Sequence, residues 1–177
     1  MCSFSHHLAK ASLMNISSLI VILALAWSPK DYTDNQLPSI EMRTLTGETV
    51  DIKDYTNKGK VLVINYWATW CSPCKRELDA IADLYPEWKD AYNMELIAVS
   101  IDDARALAKV RPLVESKGWE YEILSDSKQA SQQALNFQTI PQTFVVDASG
   151  NIVHMHNGYK PGDEYELEDI LKELSSK

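Results

Sequence analysis

Two cysteines separated by Ser72 and Pro73 sit where an apolar run stops and a helical pattern begins. Val61 to Trp67 (VLVINYW) is nearly continuous in apolar side chains and reads as a strand buried on both faces. After Pro73, Leu78, Ile81, Ala82, Tyr85 and Trp88 recur at helical spacing, although Pro86 is expected to bend or split that helix. Cys71 therefore falls at a helix N-terminus, where unpaired N–H groups and the helix dipole favour an anion. Such positions lower a thiol pKa from about 8.5 to about 3.5–7.5, and the thiolate is the reactive species. Pro73 suits the first turn, because its missing N–H would have had no partner there. Cys74, one turn further in, is placed to resolve a mixed disulfide formed at Cys71. A C-x-x-C also serves as half of a zinc site, but no second cysteine pair exists and the four histidines lie far off in sequence. Two structural cysteines would not call for a proline between them, so a redox couple is the favoured reading.

The remaining chain supplies elements for one domain. Ile40–Leu45 and Glu48–Ile52 read as a hairpin around Thr46-Gly47, and Leu96–Ile101 as a second buried strand. Ala104–Lys117 is expected to be helical, interrupted at Pro112 and ended by Gly118. Tyr121–Leu124 reads as a short strand and Gln129–Leu135 as a short helix. Gln142–Val146 and Ile152–His156 make a hairpin about residues 148–151. The last helix opens at Asp163 with Glu166 three residues on, a capping-box spacing. Strands alternating with helices, closed by an antiparallel hairpin and a helix, predict a mixed α/β sheet covered on both faces.

The N-terminus differs in kind. Lys10 is the only formal charge before Lys30, and Leu19–Trp27 reads LIVILALAW without interruption. Even counted loosely from Leu13 the stretch falls short of the about 17–25 residues that cross a bilayer. It suits the apolar core of a secretory signal, with Ala24-Leu25-Ala26 as a cleavage site. Residues 1–26 are thus expected to be a signal peptide or membrane anchor, 27–38 a linker, and 39–177 the folded domain. Cleavage would remove Cys2 and leave an even pair in a compartment where disulfides persist. The net charge of −8, with no basic cluster longer than Lys75-Arg76, argues against nucleic acid as a partner.

WATWCSPCKREL resembles the active-site signature of the thioredoxin superfamily. In Thr139-Ile140-Pro141-Gln142-Thr143-Phe144, Pro141 matches that superfamily's cis-proline, which faces the cysteines. The resemblance implies a thioredoxin fold: a central mixed β-sheet flanked by helices. It further implies a substrate groove shaped by Ile140 and Pro141. Cys74 and Pro141 are 67 residues apart, roughly 25 more than a minimal thioredoxin uses, and the surplus is an α/β insertion over about 103–126. With the leading hairpin and the N-terminal apolar run, the chain resembles the TlpA/ResA-like thiol-disulfide oxidoreductases of bacterial envelopes.

That resemblance implies a Cys71–Cys74 redox disulfide that exchanges with protein disulfides or dithiols in the periplasm. Electrons would come from a membrane-embedded dithiol protein, with no organic cofactor and no metal. Thioredoxin itself has a buried Asp where this chain has Asn65, and Asn cannot accept a proton from the second thiol. Glu77 can; it lies three residues after Cys74 on the same helix face, and the ResA-like branch has a functional glutamate there. That branch commonly has proline two residues further on, where this chain has Asp79. Trp67 is expected in the core, and Trp70 part-exposed towards a partner protein. Two alternatives compete. A Sco-like copper chaperone would use Cys71, Cys74 and His154 or His156, although that family has C-x-x-x-C. A peroxiredoxin-like peroxidase would need Thr/Ser-x-x-Cys, whereas Thr69 lies two residues before Cys71.

Overall fold

The computed structural model describes residues 35–176. The expected signal or anchor, most of the linker and Cys2 lie outside the described residues. Among those described, no helix is long and apolar enough to cross a membrane.

Seven strands form one sheet in the order β2-β1-β5-β4-β3-β6-β7. They are β1 (Glu41–Thr44), β2 (Thr49–Asp51), β3 (Val61–Trp67), β4 (Met94–Ser100), β5 (Glu122–Ser125), β6 (Gln142–Val146) and β7 (Ile152–Asn157). β3 is parallel to β4 and antiparallel to β6, and each of its seven residues is buried. A run this apolar has no polar face to give to water, so it can only be central. Pairing of β1 with β5 ties the leading hairpin to the sheet through the insertion's own strand.

Alternation along β3 sends Asn65 and Trp67 to one face and Tyr66 to the other. On the first face lie the helices α1 (Ser72–Ala91) and α4 (Asp163–Ser175), joined by a hydrogen bond from Tyr92 Oη to Glu168 Oε1 at 2.8 Å. On the second, Phe137, just after the short helix α3 (Ala130–Ala134), packs on Tyr66 with ring centroids 4.7 Å apart. The fold class is thus the mixed α/β sheet expected.

Three local expectations need correction. α1 is not split at Pro86 but continues through it to Ala91. A proline there removes one intrahelical bond, and the burial of Leu78, Ile81, Tyr85 and Trp88 along the same helix, about 1.5–3 kcal/mol per large side chain, outweighs it. The helix expected from Ala104 begins late: Asp103 Oδ1 accepts from the N–H groups of Arg105 and Ala106, which holds a turn, and α2 spans only Val110–Lys117. Pro112 therefore sits in a first turn and interrupts nothing, while Gly118 closes α2 at φ 64°. The capping box at α4 is not made. Asp163 turns back to accept from Lys160 N at 2.9 Å and lies 3.2 Å from His156 Nε2, and Glu164 instead takes the N–H of Gly162.

Candidate active site

β3 ends at Trp67, and the chain crosses Ala68–Trp70 before α1 begins. That crossing is fastened from β4. Asp102, fully buried just past the end of β4, accepts from Thr69 N at 2.8 Å, Thr69 Oγ1 at 2.7 Å and Ser100 Oγ at 2.8 Å. Lys75 Nζ reaches back to the Thr69 carbonyl at 3.0 Å. Trp70, 67% exposed, stands at the rim.

Cys71 caps α1: its Sγ accepts from Cys74 N at 3.3 Å, which puts sulfur where the helix's free N–H groups converge. Cys71 and Cys74 form a disulfide with Cα atoms 5.4 Å apart; Cys74 is wholly inaccessible and Cys71 nearly so. Facing them, the Ile140–Pro141 peptide bond is cis, and the Ile140 carbonyl oxygen lies 4.0 Å from Cys71 Sγ. The carbonyl is therefore at the sulfur, beside the start of β6.

Glu77 lies one turn beyond Cys74 on the buried face of α1, only 5% exposed. β3 and β6 pair Asn65 directly opposite Thr143, and a hydrogen-bond chain follows from that register. Asn65 Nδ2 donates to Thr143 Oγ1 at 2.8 Å, and Thr143 Oγ1 donates to Glu77 Oε1 at 2.9 Å. Glu77 Oε2 is buried with no hydrogen-bond partner. Burial pushes the Glu77 carboxyl up to about 7, against the opposing pull of Asn65, Thr143 and the His156 imidazole. Such a group can take or give a proton near neutral pH.

Asp79, where the resemblance led one to look for proline, bonds Lys117 Nζ at 2.6 Å and Trp119 Nε1 at 3.1 Å. It ties α1 to the end of α2. Trp67 is core, with Trp119 edge-on at 5.2 Å. His154 and His156 share the half-buried face of β7, but among the described residues no group of three His, Cys, Asp or Glu side chains could hold a metal ion. The copper arrangement is not assembled. Asp102 and Thr143 are the site residues that sequence reasoning missed. Asp102 had a faint signal, an acid ending an apolar strand, and Thr143 had none.

A disulfide capping a helix at the end of a central strand, with a cis-proline opposite, defines a thioredoxin-fold dithiol protein. The chain belongs to the AhpC/TSA family, whose profile matches residues 33–155, and within it groups with ResA-type thiol-disulfide oxidoreductases. It is 33% identical over 132 residues to the thioredoxin-like protein YneN of Bacillus subtilis, covering 74% of this chain and 75% of that one. To the thiol-disulfide oxidoreductase ResA of Geobacillus kaustophilus it is 30% identical over 139 residues, 78% of this chain and 74% of the other. A thioredoxin-like protein of Porphyromonas gingivalis, solved in solution, superposes with a TM-score of 0.71 at 43% identity, over 79% of this chain and 92% of that one.

Proposed function

We propose that this protein is a thiol-disulfide oxidoreductase of the bacterial envelope that works as a reductase of protein disulfides. In the dithiol form, the Cys71 thiolate attacks a substrate disulfide and releases one substrate thiol. Cys74 then gives its proton to Glu77 and attacks Cys71 Sγ, which frees the second substrate thiol and leaves the Cys71–Cys74 disulfide. Two electrons pass to the substrate. A second dithiol protein, expected in the membrane, restores the pair. The backbone of Ile140 and Pro141 lines the substrate chain beside Cys71, and Trp70 contributes an aromatic contact at the rim. Export rests on the apolar run Leu19–Trp27 ahead of the domain and on the likeness to ResA-type proteins.

One observation carries the reading: a buried carboxyl held near pH 7, one helical turn from the inner cysteine. A purely structural C-x-x-C has no use for it. The reduction potential of the couple is the test, by equilibration of the purified protein against defined thiol buffers. Dithiol proteins of this kind span about −270 to −120 mV. A value below about −220 mV supports a reductase. One near −120 mV would make the protein an oxidant, and failure to form the intramolecular disulfide would remove the dithiol reading altogether.

A further inference from the structure

The register that pairs Asn65 with Thr143 continues one strand further, because β6 and β7 pair Thr143 with His156. Asn65, Thr143 and His156 thus form a row across three strands on the face covered by α1 and α4. Between that row and α4 lies a narrow cavity of about 50 Å³, into which Glu77, His154, His156, Asp163, Glu164 and Glu166 all face. Two carboxylate oxygens there are buried and make no hydrogen bond: Glu77 Oε2 and Asp163 Oδ1, on residues 5% and 8% exposed. The other Asp163 oxygen lies 3.2 Å from His156 Nε2, and Lys160 Nζ is 3.9 Å from Oδ1. His156 is 34% exposed along its side chain, so one end of this cluster meets solvent.

We propose that His156 and Asp163 relay the proton of the dithiol reaction between Glu77 and bulk solvent, through water held in this cavity. The inference rests on the reading of Glu77 as the acceptor of the Cys74 proton. A water molecule needs about 10–15 Å³ of such space and two to four polar partners, and the cavity offers both. A proton on an acceptor buried as deeply as Glu77 either waits for Cys74 to take it back on re-reduction or passes to solvent, and while the disulfide stands the way out is not past Cys74 but through this cavity. The imidazole is suited to the outer position because it carries two ring nitrogens, one able to take a proton while the other gives one up. Asp163 holds it by one oxygen and presents the other to the cavity. The remaining charges around the cluster are set by their places. Glu164 is engaged by Tyr159 Oη and Gly162 N, Lys160 sits outside on Asp163, and His154 lies two residues back along β7.

The step can be isolated. With Cys71 carried as a mixed disulfide to a chromophoric aromatic thiol, Cys74–SH closes the intramolecular disulfide. The aromatic thiolate leaves, and one proton passes to Glu77 and out. His156→Gln is expected to slow the appearance of that proton in solution, followed with a pH-indicator dye, about tenfold and to move the midpoint of the pH profile of chromophore release upward, since His156 favours the ionised Glu77. Added imidazole should restore part of the rate, and Asp163→Asn should reproduce the loss. In a Glu77→Gln background, His156→Gln should change nothing further. A folded His156→Gln protein with the original rate and profile would overturn the relay. So would a loss that persists without Glu77, or one that imidazole fails to rescue. Absence of release from the unaltered protein would instead sink the dithiol reading on which the relay stands.

Discussion

Asp102 and Glu77 are both acidic and buried, one beside the approach to Cys71 and the other one helical turn past Cys74, yet the fold equips them differently. Asp102 receives three donors: two from Thr69 hold the crossing that aims Cys71, and one from Ser100 holds the carboxylate in place. Glu77 receives one, from Thr143, and keeps an oxygen bare. A carboxylate whose lone pairs are matched by fixed donors is a fastener. One left half-matched in a dry place is held between its two protonation states. On the proposed mechanism, the difference separates the part of the site that must not move from the part that would exchange a proton.

Removing the fastener is the most damaging change the comparison predicts. Asp102→Ala would leave the part-buried N–H and hydroxyl of Thr69 and the buried hydroxyl of Ser100 without their acceptor, at up to about 1–3 kcal/mol for each group left unsatisfied. A loss of about 3 kcal/mol or more is expected in denaturant unfolding of the oxidised protein. Asp102→Asn keeps the shape and one acceptor and should lose less. If Asp102→Ala unfolds at the wild-type midpoint, the crossing is held by something other than this carboxylate.

Glu77 predicts the opposite behaviour, a group whose charge is a burden to the fold. Its folded pKa, about 7, lies above the ordinary 4.5, so the folded state holds this proton more tightly than the unfolded chain does. The associated stability is fully present below about pH 4.5, declines as the pH rises through about 7, and is level above that. The span is on the order of 3 kcal/mol. Thermal or denaturant unfolding of the oxidised protein across pH 4 to 8, with the cysteines silent, reads it directly. Glu77→Gln should erase that component and be the more stable protein at pH 8. Equal pH slopes for the two proteins would mean that Glu77 is ionised and satisfied in the folded state, and the contrast with Asp102 would collapse.

How far each carboxylate could be read from the sequence follows from how local its partners are. The strand, the cysteines, the cap and the place of Glu77 one turn on all lie within residues 61–77, where periodicity and spacing speak for themselves. The strand pattern around Pro141 was legible too. Thr69, which Asp102 fastens, lies 33 residues back, and the Asn65–Thr143 bond spans 78. Such contacts depend on strand order and register, which a linear pattern does not carry. Pro86 misled for a related reason: local propensity argues for a break, and tertiary burial of Tyr85 and Trp88 keeps α1 whole. At Asp163 a capping-box spacing was present, but the side chain found better-placed partners in Lys160 N and His156.

The finest test concerns the one donor that Glu77 does have. Thr143 joins the two sides of the network, taking a hydrogen bond from Asn65 and giving one to Glu77. Thr143→Val keeps the β-branched shape on β6 but removes the hydroxyl, leaving both Glu77 oxygens bare and Asn65 Nδ2 without its acceptor. The Thr143 bond lowers the Glu77 pKa, so its loss should raise the titration midpoint further. The stability change at low pH, where Glu77 is neutral either way, should be small, about 1–2 kcal/mol from the stranded amide. Carbon-13 NMR of the Glu77 carboxyl in the oxidised protein would follow the midpoint itself. An upward move with a modest stability loss would place Thr143 as the tuner of an otherwise ungoverned acid. An unchanged midpoint would mean that burial and the other neighbours set Glu77 without the Thr143 hydroxyl, which would then belong with Asp102 among the fasteners.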